Sequence, residues 1–279
     1  MIVRTGRMAV LALAVSVAAG CSAPDGGGRD YNPAHQPGYV LPDDQAPGVP
    51  GPAPTWPGSG NGLGLPGIGQ ADPSEPDRIV RGGEVTAGKP ASFALVNGAD
   101  VVRVSVGDLG TDLFEVSTPA ESKVVPKVDV DGSSVVAGLR DTGLGGPAVV
   151  TVVLSDDVRW GVRLAGGASD QAVDLTGGPG GDVDFAAGTS RAEVSLPAAT
   201  GTQRVTLGGG ASQLLVHLTG DAPVRVATKN GAGDVTIDGQ NRTGVAGGTV
   251  FVAPGWDTAS NRFDVDATSG VSSLTVARG

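Results

Sequence analysis

The sequence predicts an all-β fold, a β-solenoid of stacked strand pairs preceded by a disordered tether. Three observations predict it. Glycine occupies 47 of 279 positions while aromatic residues make up only 4 % of the chain. The apolar residues fall in short Val-, Leu- and Ala-rich runs separated by Gly, Asp and Pro, with no sustained 3.6-residue period and no helix caps. A unit of Gly-x-Ser followed by an alternating apolar strand recurs at steps of 21 and 22 residues in the second half. A fixed period of this length marks a stacked architecture, because one strand pair cannot bury an apolar face alone.

The first segment, 1–20, reads as a signal peptide. Arg4 and Arg7 form a positive start, and 8–19 is an apolar run too short to span a hydrocarbon core, which needs about 20 residues. Ala18, Ala19 and Gly20 are the small residues a signal peptidase accommodates, and Cys21 follows as the single cysteine of the chain. This junction resembles the lipobox of bacterial lipoproteins, although Ala18 stands where that family usually has Leu. The resemblance covers about 21 residues. It implies cleavage before Cys21, a diacylglyceryl group on its thiol, and an extracytoplasmic protein lipid-anchored to the cell membrane. The anchor would make the membrane itself the first partner.

Residues 21–77 read as a disordered linker rich in Pro and Gly, for example Pro47-Gly48-Val49-Pro50-Gly51-Pro52. Proline removes amide donors and glycine raises the entropic cost of ordering. Tyr31, Tyr39, Trp56 and His35 fall within it as isolated residues.

The third segment, 78–279, reads as one all-β repeat domain. Strands are predicted at 101–106, 124–130, 149–154, 158–164, 203–207 and 214–218. The repeat is carried by Gly167-Ala168-Ser169, Gly188-Thr189-Ser190, Gly210-Ala211-Ser212 and Gly270-Val271-Ser272. In the first three, Val173 and Leu175, Val194 and Leu196, and Val216 and Leu218 follow; Val276 follows the fourth. A weaker unit, Gly231-Ala232-Gly233 with Val235 and Ile237, keeps nearly the same step. The serines are expected to bond turn backbone. The 78–155 stretch lacks the unit and is expected to begin the same solenoid rather than form a separate sandwich.

Trp160-Gly161-Val162-Arg163-Leu164, the Gly-x-Ser strands, Leu196-Pro197 and the closing Gly270-Val271-Ser272-Ser273-Leu274-Thr275-Val276 together resemble the bacterial "putative adhesin" or toastrack family. That family is related to the C-terminal domains of cell-wall-active-antibiotic-response proteins. The resemblance covers roughly 90–278 and rests on structural motifs. It implies an extracytoplasmic β domain with no catalytic motif to carry over.

Chemistry is bounded by scarcity. A net charge of −10 does not attract phosphate backbones, so nucleic acid is not an expected partner. His35 and His217 are the only histidines, too few for a zinc site. Odd spacing along a strand is expected to put Ser212 and His217 on opposite faces, with His217 toward solvent. No G-x-S-x-G elbow occurs, and the glycine run 177–181 lacks the residues of a phosphate loop. The Asp129/Asp131, Asp182/Asp184 and Asp264/Asp266 pairs could meet calcium's need for oxygen ligands. They are read instead as the solvated face of half-buried strands. Trp160 and Trp256 are expected to pack in the core or at an edge. A paired-carboxylate glycosidase would line its cleft with more aromatics than the domain has.

The expectation is a non-enzymatic envelope protein that presents its β domain for adhesion or cell-wall association, with no cofactor or metal. Its partners would be a wall polymer or an envelope protein. The alternative is a binding partner of a membrane sensor or assembly in the envelope stress response.

Overall fold

The computed structural model describes residues 77–279, Ala87 excepted. Cys21, the leader and the tether lie outside the described residues. No helix occurs among the described residues; they form strands and turns only. In chain order the strands are β1 (Ile79–Glu84), β2 (Ala91–Leu95), β3 (Val101–Gly107), β4 (Asp112–Ser117), β5 (Val124–Asp131), β6 (Ser134–Asp141), β7 (Val149–Ser155), β8 (Trp160–Leu164), β9 (Ala168–Asp174) and β10 (Gly181–Phe185). They continue with β11 (Thr189–Leu196), β12 (Thr202–Leu207), β13 (Ala211–Leu218), β14 (Val224–Thr228), β15 (Ala232–Ile237), β16 (Gln240–Val245), β17 (Thr249–Val252), β18 (Arg262–Ala267) and β19 (Val271–Arg278). The runs read as strands from sequence fall on β3, β5, β7, β8, β12 and β13.

The strands form two mixed sheets. The ten-stranded sheet runs β1-β4-β7-β3-β9-β11-β13-β19-β15-β16, and the nine-stranded sheet runs β17-β14-β18-β12-β10-β8-β2-β6-β5. Each parallel strand of one sheet is joined by a short corner to a parallel strand of the other. β8 leads to β9, β10 to β11, β12 to β13, β18 to β19, β14 to β15, β2 to β3 and β6 to β7. The outermost strands β1, β5, β16 and β17 pair antiparallel, as does β4. β3 and β7 sit in the same sheet as β9, so the first half of the described chain extends the same two sheets.

The register explains the repeat. Val104, Val173, Val194, Val216 and Val276 stand side by side across five strands, all buried. Facing them, Phe93, Val162, Val183, Val205, Val265 and Val226 form the matching row. Both rows lie at 2 % exposure or less, so the core is a continuous slab between the sheets. Burying each such side chain is worth about 1.5–3 kcal/mol. Trp160 belongs to this slab, with its indole N–H donating to the Ser155 carbonyl at 2.8 Å.

Three details depart from the sequence reading. Spatial order is not chain order: β18–β19 lies between β12–β13 and β14–β15, and β2–β3 lies between β6–β7 and β8–β9. Each unit has the same local pattern, so local pattern does not specify its neighbour. The weaker unit is also shifted by two residues. Ile237, not Val235, aligns with Val276, while Val235 aligns with Leu274. The shared corner, Ala232 opposite Val271, sets this register. Finally, no hydroxyl hydrogen bond is found for Ser169, Ser190, Ser212 or Ser272 among the described residues. The corner backbone is satisfied from strand to strand instead: Ala168 N–H donates to Gly188 C=O, Thr189 N–H to Gly210 C=O and Ala211 N–H to Gly270 C=O, at 3.0–3.3 Å.

Close stacking at the corners accounts for two of the glycines. A Cβ on Gly209 would lie 2.1 Å from the Ala187 carbonyl carbon. One on Gly181, whose φ is +154°, would lie 1.7 Å from the Trp160 oxygen. Neither position has room for any side chain.

Candidate functional site

With the apolar rows turned inward, the other side chains of each strand form rows across the outer faces, and the candidate functional residues lie there. On the nine-stranded sheet, Arg204 is in register with Asp264, which is in register with Arg225. Arg225 donates to both Asp264 oxygens, at 2.9 and 3.0 Å. Arg204 Nε lies 3.6 Å from Asp264 Oδ2, and the Arg204 amide donates to Asp182 at 2.9 Å. A second row pairs Arg163 with Asp184 and Lys229 with Asp266, the latter at 2.9 Å.

Asp264 is 4 % exposed although it points outward. The loop between β17 and β18 crosses above it, with Trp256 stacked against Arg225 and Arg262 at 4.8 and 4.5 Å from the ring centre. The indole N–H donates to the Phe263 carbonyl at 2.7 Å. Arg262 is held in turn by Thr202 Oγ1 and by the Trp256 and Asp257 carbonyls. The hydrogen bond to Asp264 pushes the Arg225 guanidinium above its ordinary range, against the opposing effect of burial.

On the ten-stranded sheet, Arg103 donates to both Asp170 oxygens at 3.1 and 2.9 Å. Arg191 donates to Glu193 at 2.8 Å and to Gln213 at 3.3 Å. His217 lies 3.5 Å from Glu193. Ala172, in register between Arg103 and Glu193, leaves a shallow open depression walled by these charges.

The sequence-derived candidates distribute as follows. His217 is exposed, in line with its reading. Ser212 is exposed too, because the strand alternation breaks at the corner and the paired register passes from Ala211 to Gln213. The two side chains start about 16 Å apart along the strand, far beyond hydrogen-bond reach. Asp129 and Asp131 are exposed on an edge strand. Asp182 and Asp184 engage arginines, and Asp264 is enclosed rather than solvated. Among the described residues no group of three or more His, Cys, Asp or Glu is arranged to hold a metal. The reading of sequence overlooked Arg225, Arg262 and Lys229. For Arg225 the available signal is its place opposite Asp264 in equivalent strands; Arg262 and Lys229 carry no such pattern.

No protein-family model matches the chain, and no curated protein matches it. Among solved structures, the chain is similar in fold to a protein named "putative cell adhesion protein" from Clostridium sporogenes ATCC 15579. The TM-score is 0.51 at 15 % identity, covering 72 % of this chain and 98 % of that one. A second, named "putative adhesin" from Bacteroides fragilis NCTC 9343, aligns at a TM-score of 0.19 and 9 % identity, over 72 % of this chain and 98 % of that one.

Proposed function

We propose that the chain is a lipid-anchored protein of the cell envelope. Its β domain, a toastrack-like solenoid without catalytic role, is displayed for adhesion or cell-wall association. The observation that carries this reading is the composition of the outer faces. Asp170, Asp184, Asp264 and Asp266 are held by arginines or a lysine of neighbouring strands or corners, so the faces offer broad, stiff surfaces laced with ion pairs. The fold likeness to a protein named for cell adhesion supports it, as does the leader ending at Cys21.

The test is fractionation of cells expressing the full chain and its Cys21→Ser variant, with surface accessibility read by added protease. The wild type is expected in the membrane fraction, extractable by detergent and cleaved by protease on intact cells. The variant is expected in the medium or as uncleaved precursor. An unchanged membrane-bound mature form in Cys21→Ser removes the anchor, and a protease-resistant cytoplasmic wild type removes the envelope role. Crosslinking in intact cells, followed by identification of bound wall glycan or surface material, separates wall association from adhesion.

A further inference from the structure

The two sheets end in four outermost strands, and three are blocked against strand pairing. β1 carries Arg81, Glu84 and the positive-φ Gly83. β5 carries Pro126, Lys127, Asp129 and Asp131. β16 carries the positive-φ Gly244. Charges, proline and kinks are the devices that block an edge. β17 reads Thr-Val-Phe-Val and has none of them. Ala253 N–H donates to Val224 C=O, and Phe251 is in register with Val226 on β14. Main-chain groups alternate in direction along an antiparallel strand, so those of Val250 and Val252 point away from β14.

Beside this edge the core slab opens to solvent. Phe251 roofs a cleft of about 240 Å³ lined by Val224, Val235 and Ile237. The opposite lip is β16, where Arg242 pairs across from the buried Val235 and so stands on the inner face of its sheet. Arg242 is exposed and, among the described residues, has neither an ion-pair nor a hydrogen-bond partner. Asp238, the acid of the same lining, is taken by Arg278 Nε at 3.1 Å. The mouth therefore holds one uncompensated guanidinium over an apolar floor. Exposed charges beyond about 8 Å are screened at physiological ionic strength. This local balance, rather than the net −10 of the chain, is what a ligand meets here.

We propose that the β16–β17 end binds an extended peptide segment of a partner protein, apolar and acidic on one face, added as a strand to β17. Three features select this ligand, each through a different group. The outward N–H and C=O groups of Val250 and Val252 take main chain in extended form. The cleft beside Phe251 takes an apolar side chain from the inward face of the added strand. Arg242 takes a carboxylate on that same face, two residues from the apolar side chain. Neither competing occupant supplies all three. A second copy pairing through its own β17 brings no carboxylate, since that strand reads Thr-Val-Phe-Val. A fatty-acid anion fills the cleft and meets Arg242 but leaves the outward amides unpaired. The site lies wholly within the β domain, so it adds a protein partner to the display role proposed above without resting on the lipid anchor.

The probe is a fluorescein-labelled peptide, Val-Glu-Val-Leu-Val-Glu-Val, in which Glu stands on both sides of Leu on one face, so that either chain direction serves. Fluorescence anisotropy against the full chain carrying Cys21→Ser is expected to show saturable binding. N-methylation of one alternate set of peptide amides, and not of the other, is expected to abolish it, as strand pairing requires. Changing both Glu to Lys is expected to weaken binding by about tenfold or more, and Arg242→Glu to reverse that preference. Val252→Pro removes an amide that β14 does not use and is expected to abolish binding. Val130→Lys, on β5 at the far edge, is expected to leave it unchanged. The far-ultraviolet circular dichroism spectrum of each variant identifies loss of fold. No saturable binding at millimolar peptide, or binding indifferent to Arg242→Glu, overturns the proposal. So does binding that survives both N-methylated sets, the outcome for an anionic amphiphile held by the cleft alone. Such a failure leaves the envelope location untouched, because the fractionation test does not involve this end.

Discussion

Arg225 and Asp264 meet two nitrogens to two oxygens on adjacent parallel strands, 39 positions apart in sequence, under the ring of Trp256. The pair joins a strand of the outermost parallel pair to a strand of the pair inserted beside it.

Removing one member leaves the other without its partner in a partly desolvated place. Asp264→Ala is therefore expected to destabilise the fold by about 2 kcal/mol, reduced from the fully buried case because Arg225 keeps some solvent. Urea denaturation at neutral pH measures it. Arg225→Met combined with Asp264→Leu is expected to recover most of the loss.

Trp256→Ala removes two cation–π contacts and uncovers Asp264. A loss of about 1–2 kcal/mol is expected, with faster amide exchange across the β17–β18 loop. Trp256→Phe keeps a ring over the guanidiniums but leaves the Phe263 carbonyl without its donor, and is expected to cost less than alanine.

Gly209→Ala tests the corner packing. A methyl group cannot fit 2.1 Å from the Ala187 carbonyl carbon, so adjacent corners must separate. A loss of about 3 kcal/mol or more is expected, read as a fall in Tm. Gly239→Ala, in the open β15–β16 turn, is expected to cost less, through backbone strain alone.

Asp100 accepts from the Ala148 amide and from Lys123, and these hydrogen bonds lower its pKa from the ordinary 3.8. A depressed acid contributes stability that is fully present above its unfolded value and fades as pH falls through the folded one. Asp100→Asn is thus expected to flatten the stability curve below about pH 4 while altering its slope little near neutrality. Chemical denaturation across the acid range measures this.

Millimolar calcium is expected to leave the melting temperature unchanged, because Asp182, Asp184, Asp264 and Asp266 already face nitrogen donors. A rise of several degrees that Asp182→Asn abolishes would establish a calcium site.

Much of this architecture is legible in the residues. Alternation of Val and Leu predicts which side chains enter the slab, and the Gly-x-Ser spacing predicts which corners align, as Ala168, Thr189, Ala211 and Val271 do. Two properties are not local and escape that reasoning. Nothing within 224–237 or 262–278 states which of the two stacks against β13, since either would set a β-branched apolar residue, Ile237 or Val276, beside Val216. Parity correctly turns Asp264 outward, but its enclosure depends on a loop whose path follows from the inserted pair. The Asp238-Gly239 turn between β15 and β16, with both residues at positive φ, was readable as a two-residue hairpin signal.

The out-of-order insertion has a mechanical consequence. A stack laid down in sequence would peel from its end under tension, one strand pair after another. In this molecule, a pull applied beyond β19 acts on strands clamped on both sides in both sheets. β18 and β19 must slide out from between β12 and β14 and between β13 and β15 before anything outside them is released. Rupture then loads four strand interfaces together rather than one edge at a time, and the outer pairs β14–β17 and β15–β16 can stay intact while β18 and β19 are drawn out.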